Sequence, residues 1–504
     1  MSTKPMLEVR GISKRYGGVQ ALDDVSVTFD AGQVHCLAGV NGSGKSTLIK
    51  IISGVEQADS GSIMLRGAEL VNNSPRNAMH HGIQVIYQDM ALIPNLTVAE
   101  NIVMLRRSLS NSPLVTPTAD KEHAREVVSR LGVELDLDAF VEDLPIADRQ
   151  LVAIARALAQ DASVLFMDEP TTALTWREVD QLFVVVNRLR SDGVAVVFVS
   201  HKLDEVLSIS DQVTVLRNGV LVAEGPSSSF SHDSLAEALV GEKTATDRVI
   251  IEPQPADTPV LRVQELRSER LFKGITFDVA PGEIVGLTGL RGSGRSEIAE
   301  ALFGLLPIDG GIVEVDGQRV PHGDPIKAIE SGIAYVPADR LTQGVFLDQS
   351  INDNLISASL PAVTSKIGVL GRAPVRALVS RGLSSMRVKY GKESDAIRTL
   401  SGGNQQKVVL AKWAETKPRV LILNGPTVGV DIGSKFAILD ILRGYAREGM
   451  GIVIVSDDFQ EVVSVCNRVL VVDKGLITHQ ISGAEMTEEH VRELVSEEAQ
   501  HEDN

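Results

Sequence analysis

The sequence predicts an α/β fold built twice in tandem, and three observations carry that prediction. Short apolar runs of strand length, Val164-Leu-Phe-Met167, Val194-Ala-Val-Val-Phe-Val199, Val420-Leu-Ile-Leu423 and Gly451-Ile-Val-Ile-Val455, alternate with helix-like segments, as in a largely parallel sheet buried on both faces. A glycine loop at 39–47 is followed 250 residues on by a second at 289–296. Later segments keep one register, with Asp168 matched to Asn424, His201 to Asp457 and Gly219 to Gly475, each 256 residues apart. A period this long marks duplicated domains, not a solenoid.

Taken in order, each copy opens on an apolar stretch, Leu7-Glu-Val-Arg-Gly-Ile12 and Leu261-Arg-Val-Gln-Glu-Leu266. The first glycine loop, Gly39-Val40-Asn41-Gly42-Ser43-Gly44-Lys45-Ser46-Thr47, matches the phosphate-cradling pattern G-x-x-x-x-G-K-[ST] at every specified position. It lies between the strand-like Gln33-Val-His-Cys-Leu-Ala38 and the helix-like Leu48-Ile-Lys-Ile-Ile52. Glycines let successive N–H groups turn onto phosphates, and the following helix points its positive end at the same anion. Lys45 would reach the β- and γ-phosphates and Ser46 would ligate Mg²⁺. Further on, His81-Gly-Ile-Gln-Val-Ile-Tyr-Gln88 corresponds to Ser331-Gly-Ile-Ala-Tyr-Val-Pro-Ala338, and Thr97-Val-Ala-Glu-Asn-Ile102 to Ser350-Ile-Asn-Asp-Asn-Leu355. Gln88, after a strand-like run, is a candidate to bridge metal and water. The pattern then turns helical, predicting inserted helical subdomains at about 90–160 and 345–415.

Asp168 and Glu169 end the next strand, where open α/β sheets place ligands, so Asp168 is a candidate Mg²⁺ ligand and Glu169 a candidate to polarise the attacking water. In isolation an Asp-Glu pair there is as readily a helix cap; after a phosphate loop in the same domain the chemical reading is preferred. His201 closes another strand and is a candidate donor to a γ-phosphate. Tyr16 is a candidate to stack on adenine. Pro253, Pro255 and Pro259 mark the break between copies, giving domains at 1–245 and 260–504 with a linker at 246–259.

Bulk properties exclude several classes. With 66 acidic against 49 basic residues the net charge is −17, which argues against nucleic acid or an anionic membrane surface as the main partner. Aromatics at 4% leave little for base stacking. The two cysteines, Cys36 and Cys466, sit singly in strand-like apolar runs and suit a reducing compartment. No run approaches the apolar length of a membrane span, so a cytoplasmic protein is expected, free to dock on something membrane-embedded.

With these elements in this order, and with Leu400-Ser-Gly-Gly-Asn-Gln-Gln-Lys-Val-Val-Leu-Ala-Lys-Trp413 in the second copy, the sequence resembles the ABC transporter ATPases, specifically the ATP-binding subunits of bacterial simple-sugar importers of the ribose, galactose and xylose type. The resemblance covers nearly the whole chain. It implies two P-loop ATPase domains, each a RecA-like α/β core with an antiparallel β portion and an inserted helical subdomain. It implies ATP held between the phosphate loop of one domain and the signature loop of the other. It implies two transmembrane permease subunits, a periplasmic sugar-binding protein, self-association as an option, and a place at the cytoplasmic face of the inner membrane.

Sorted by the composite sites so implied, the first pairs Lys45, Gln88, Asp168, Glu169 and His201 with Ser401, Gly402, Gly403 and Asn404, where Ser401 and the glycine N–H groups would approach the γ-phosphate. The second pairs the loop at 289–296 with Leu144-Pro-Ile-Ala-Asp148, and there Arg295 replaces lysine, Glu297 threonine, Ala338 glutamine, Asn424 and Gly425 the Asp-Glu pair, Asp457 histidine and Pro145 the signature serine. The span from Leu7 to Lys45 is also four residues longer than that from Leu261 to Arg295, a deletion expected at Lys14 to Gly18 that removes the counterpart of Tyr16. One hydrolytic site is therefore expected. A soluble two-domain ATPase acting on ribosomes or DNA, and a non-catalytic regulatory subunit, stand as alternatives.

Overall fold

The computed structural model describes residues 5–71, 73–110, 117–172, 174–200, 202–241, 251–254, 258–290 and 292–500, without the side chains of 106–110, 176 and 497–500. Two compact units divide the chain, Met1–Thr244 and Ala245–Asn504. The prolines of the expected linker lie only partly within the described residues. Ile251 and Gln254, however, are bonded to the second unit, through Asn467 Nδ2 to the Ile251 carbonyl at 2.6 Å and the Gln254 N–H to the Pro281 carbonyl at 2.9 Å.

In unit 1, Leu7–Tyr16 lies between Val19–Phe29 and Ser60–Leu65 in an antiparallel sheet, with Leu7 opposite both Phe29 and Leu65. Leu7 and Val9 point into the core and Glu8 and Arg10 away from it, the alternation of a sheet with one dry face. The second sheet runs Val220–Pro226, Gln212–Arg217, Val34–Ala38, Ala195–Ser200, Val164–Asp168, Ile83–Ile86, parallel except for the hairpin at its first edge. Its central strands are buried at nearly every position, which is why they read as unbroken apolar runs. One face packs Leu37 and Phe166 with Phe29 of the antiparallel sheet and Leu48 of the helix Lys45–Ile52. The opposite face packs Leu165 and Phe198 with the inserted helices Val98–Ser110, Pro117–Leu131 and Ile146–Leu158.

Unit 2 repeats the plan. Leu261–Ser268 lies between Phe272–Val279 and Gly310–Val315, and the mixed sheet runs Ile333–Val336, Val420–Asn424, Gly451–Val455, Ile284–Thr288, Arg468–Asp473, Leu476–Ser482. Its inserted helices include Ile351–Ile356, Arg372–Ser385 and Gly402–Ala414. The repeat reaches single side chains. Buried Asn101 donates to the carbonyls of Ile93, Leu96 and Thr97 and accepts from the Ile93 N–H; buried Asn354 does the same to Phe346, Gln349 and Ser350.

Two details differ from the sequence reading. Cys36 lies in a strand, but Cys466 is the buried residue capping the helix Phe459–Val465. The β-branched stretch Val462-Val-Ser-Val465 reads as strand, yet packing one apolar side of a helix onto the core overrides that propensity. The four-residue deletion is also shared between both strands of a hairpin. Ser268 pairs with Phe272 where Lys14 pairs with Leu22, so the arm carrying Arg15–Gln20 and Tyr16–Val19 has no counterpart.

Candidate functional site

The phosphate loop of unit 1 joins Val34–Ala38 to Lys45–Ile52. Gly44 precedes the helix at φ 108°, a conformation that disfavours a side chain, and a Cβ on Gly39 would lie 2.6 Å from the Leu216 carbonyl oxygen. No side chain caps the helix start, so its first N–H groups keep their donors for an anion. Lys45 is buried, its Nζ 2.5 Å from the Gly39 carbonyl and 3.1 Å from that of Val40. Ser46, Asn41 and Gly42 are exposed, Val40 and Thr47 half-buried, and Ser43 buried.

Asp168 ends its strand opposite Val199, and its carboxyl is pushed up by burial and by Glu169, with Lys45 drawing it back down. Lys45 and Asp168 are therefore brought within electrostatic reach of one another. Glu169 has φ 48°, left-handed for a residue with a Cβ, and its N–H is tied to the Val199 carbonyl at 3.0 Å. Strain of this kind is held where the surrounding structure fixes it. Gln88 stands exposed after Ile83–Ile86; beyond it Met90 and Ala91 have φ 57° and 45°, their carbonyls each 2.6 Å from the Arg156 guanidinium. Tyr16 is 44% exposed on its hairpin arm, with Lys14 Nζ 5.4 Å from the ring centroid. His201 lies outside the described residues.

Glu205 is a participant that the motifs alone did not mark. Buried on Leu203–Ile209, it accepts from Ser200, the residue before His201, at 2.8 Å and from Thr171, two residues after Glu169, at 2.7 Å. It joins the two loops that carry the candidate catalytic side chains. The signal was present in the repeat: Ser200, Thr171 and Glu205 recur as Ser456, Thr427 and Glu461.

In unit 2, Ser401 precedes the helix Gly402–Ala414 without capping it. Asn404 Nδ2 donates to Ser401 Oγ at 2.9 Å, and Asn404 Oδ1 accepts from the Lys389 N–H, so the Ser401 hydroxyl proton is left to donate elsewhere. Gly403 is buried, and a Cβ there would collide with Ser434 Oγ. In unit 1 the equivalent helix Ile146–Leu158 begins after Pro145, which has neither hydroxyl nor N–H.

The phosphate loop of unit 2 is engaged with itself. Arg295 donates to the Gly289 carbonyl and pairs with Asp457 at 3.3 Å; burial pushes its guanidinium down while Asp457 holds it up. Ser296 Oγ donates to Asn424 Oδ1 at 3.3 Å, and Asn424 Nδ2 meets the Tyr335 hydroxyl at 3.4 Å. The positions that match Lys45 and His201 are thus bonded to each other, as are those that match Ser46 and Asp168.

The model of the family described as ABC transporter matches residues 22–172 and again 272–428, once in each unit. The chain belongs to the ABC transporter family. Among its relatives are a ribose import ATP-binding protein, RbsA 2, of Streptomyces avermitilis, 43% identical and covering 97% of this chain and 96% of the relative, and RbsA 1 of Streptomyces coelicolor, 44% identical over 97% and 96%. A putative ribose/galactose/methyl galactoside import ATP-binding protein of Pseudomonas fluorescens is 39% identical over 97% and 95%. This ABC protein is accordingly an ATP-binding ATPase, and no helix among its described residues is long and apolar enough to cross a membrane.

Proposed function

We propose that this ABC protein is the ATP-hydrolysing subunit of an importer for a small carbohydrate, a monosaccharide or polyol, and that it holds one competent composite site. The carbohydrate class rests on the relatives, all of the two-copy length and named for ribose or galactose import. The observation that carries the single site is the contrast between Asp168 and Glu169 at the strand end beside Lys45 in unit 1 and the uncharged Asn424 and Gly425 at the matching strand end of unit 2, where Arg295 is paired to Asp457.

Lys45 exchanges its two carbonyls for the β- and γ-phosphates, and residues 39–47 wrap them with N–H groups. Tyr16 stacks on adenine. Glu169 orients the attacking water and His201 donates to the γ-phosphate, while Ser401, oriented by Asn404, donates with the N–H groups of Gly402 and Gly403 from the other side. Mg²⁺ fits as an ion that arrives with the nucleotide. No group of three or more His, Cys, Asp or Glu among the described residues could hold a metal, whereas Ser46, Gln88 and Asp168 offer the sparse oxygen set of an ion completed by phosphate and water. Bound there, it supplies neutralisation of charge on the phosphates.

The partners on this reading are two transmembrane permease subunits, with a periplasmic sugar-binding protein completing the system at the cytoplasmic face of the inner membrane. Exposed apolar side chains support it in the segments after Gln88 and Ala338: Phe140 and Ile146 in unit 1, and Phe346, Ile367 and Val369 in unit 2. The test is uptake of labelled ribose, galactose and xylose by cells lacking the chain, complemented with wild type or Lys45→Ala. Uptake of at least one of these sugars, or of one polyol in a labelled panel assayed beside them, should vanish and return only with wild type; undiminished uptake of every sugar and polyol sinks the carbohydrate assignment.

A further inference from the structure

Arg340 opens the turn Arg340–Gly344, which follows the strand Ile333–Val336 and so lies just beyond Ala338. Its guanidinium donates to the carbonyls of Val428, at 2.7 Å, and Gly429, at 3.0 Å, in the loop after Asn424 and Gly425. It also lies against the signature: a Cβ built on Gly402 would come within 2.5 Å of a guanidinium nitrogen. The far end of the turn is anchored to the signature helix, Lys412 Nζ standing 2.7 Å from the Gly344 carbonyl. A planar fork on two successive carbonyls fixes a backbone more tightly than a single rotating donor does.

We propose that Arg340 is a positioning residue that sets the signature loop of unit 2 for ATP hydrolysis and links it to the segment after Ala338. The proposal rests on the composite-site reading above, in which Ser401 serves the phosphate loop of unit 1. Unit 1 supplies the contrast. Its matching residue is Met90, whose thioether has no N–H to donate, and its signature position is Pro145. There Arg156, the counterpart of Lys412, holds the carbonyls of Met90 and Ala91 instead. The bridge accompanies the intact signature and is missing beside the lost one.

The experiment uses the full chain with Arg340→Met, Arg340→Lys and, as a separate control, Ser401→Ala. Steady-state hydrolysis, trinitrophenyl-ATP binding and thermal unfolding are measured for each. Arg340→Met should lower kcat about tenfold or more while the probe Kd stays within about twofold, since misplacement of a positioned group costs turnover and not ground-state binding. Its unfolding temperature should remain near wild type, and Arg340→Lys, which reaches one carbonyl, should recover part of the rate. If Arg340→Met keeps its kcat while Ser401→Ala loses it, the role of Arg340 is overturned and the composite site stands. If neither loses kcat, the composite site itself is overturned. If both Arg340 variants lose rate, binding and cooperative unfolding together, the residue only props the fold and the proposal fails.

Discussion

In the phosphate loop of unit 1 Lys45 reaches two carbonyls and lies within electrostatic reach of Asp168, with Ser46 exposed, whereas in unit 2 Arg295 is on Asp457 and Ser296 on Asn424. A nucleotide entering the loop of unit 2 must separate the Arg295–Asp457 ion pair and break the Ser296–Asn424–Tyr335 side-chain chain. The scaffold does not diverge in the same way. Ser200 bonded to Glu205 is matched by Ser456 bonded to Glu461, and Asn101 on its three carbonyls by Asn354 on three. The two units therefore differ where groups would touch phosphate, metal or water, and agree where groups hold loops in place.

The largest effect that tests this contrast is expected from Glu169→Gln. On the proposed reading it removes the base that orients water, and it should lower steady-state ATP hydrolysis by about 10²-fold or more, with nucleotide binding retained. Turnover near the wild-type rate would mean that a second site hydrolyses, and the contrast would fail.

Glu205→Ala separates support from chemistry within one unit. Without its acceptor, the buried hydroxyls of Ser200 and Thr171 lose the group they donate to, a cost of about 1–3 kcal/mol, and the segments around Thr171 and Ser200 lose their tie. Turnover should fall about tenfold, whereas Glu461→Ala should lower thermal stability comparably and change turnover by no more than about threefold. Equal losses of turnover in both variants would show that the carboxylate acts only through global stability.

Much of this was legible in the sequence because each signal had a local cause. The glycine loop needs particular residue types at particular spacings, the buried strands read as apolar runs, and the repeat register paired Asp168 with Asn424 before any geometry was known. What the sequence hid depends on contacts between distant residues. Arg340 reads as a surface arginine until its fork is seen on Val428 and Gly429, 88 and 89 residues away. Glu205 reads as one acid in a helical stretch until Ser200 and Thr171 converge on it, and Cys466 reads as strand because neighbouring β-branched residues outweigh the helix that tertiary packing imposes.

A smaller effect is expected at the hairpin arm that only unit 1 possesses. Tyr16→Ala removes an exposed ring that on the proposed reading stacks on adenine, a contact of about 0.5–1.5 kcal/mol, so KM for ATP should rise about two- to tenfold with kcat little changed. An unchanged KM, read beside an unchanged affinity for a nucleotide with an altered base, would remove the arm from the site and leave the deletion in unit 2 without a functional meaning.

The smallest effect on rate is expected where the two units share a backbone conformation and differ in what it carries. Glu169 has φ 48° and Gly425 has φ 62°, and each N–H is tied to the carbonyl of the neighbouring strand, Val199 at 3.0 Å and Val455 at 2.7 Å. The turn is thus the same, but only unit 1 holds a side chain in it, at a cost of about 1–2 kcal/mol for the left-handed region. Gly425→Glu restores the carboxylate to unit 2 and incurs that strain, and its Cβ, 2.8 Å from Val428 Cγ2, also requires the Val428 side chain to shift. Stability should drop by about 1 kcal/mol, read from denaturant unfolding of unit 2. ATP turnover should not rise, because Asn424 still has no charge, Asp457 still holds Arg295, and Pro145 still has no hydroxyl to offer. A clear gain in hydrolysis, surviving in the Glu169→Gln background, would show instead that a single missing carboxylate separated the second cradle from the first.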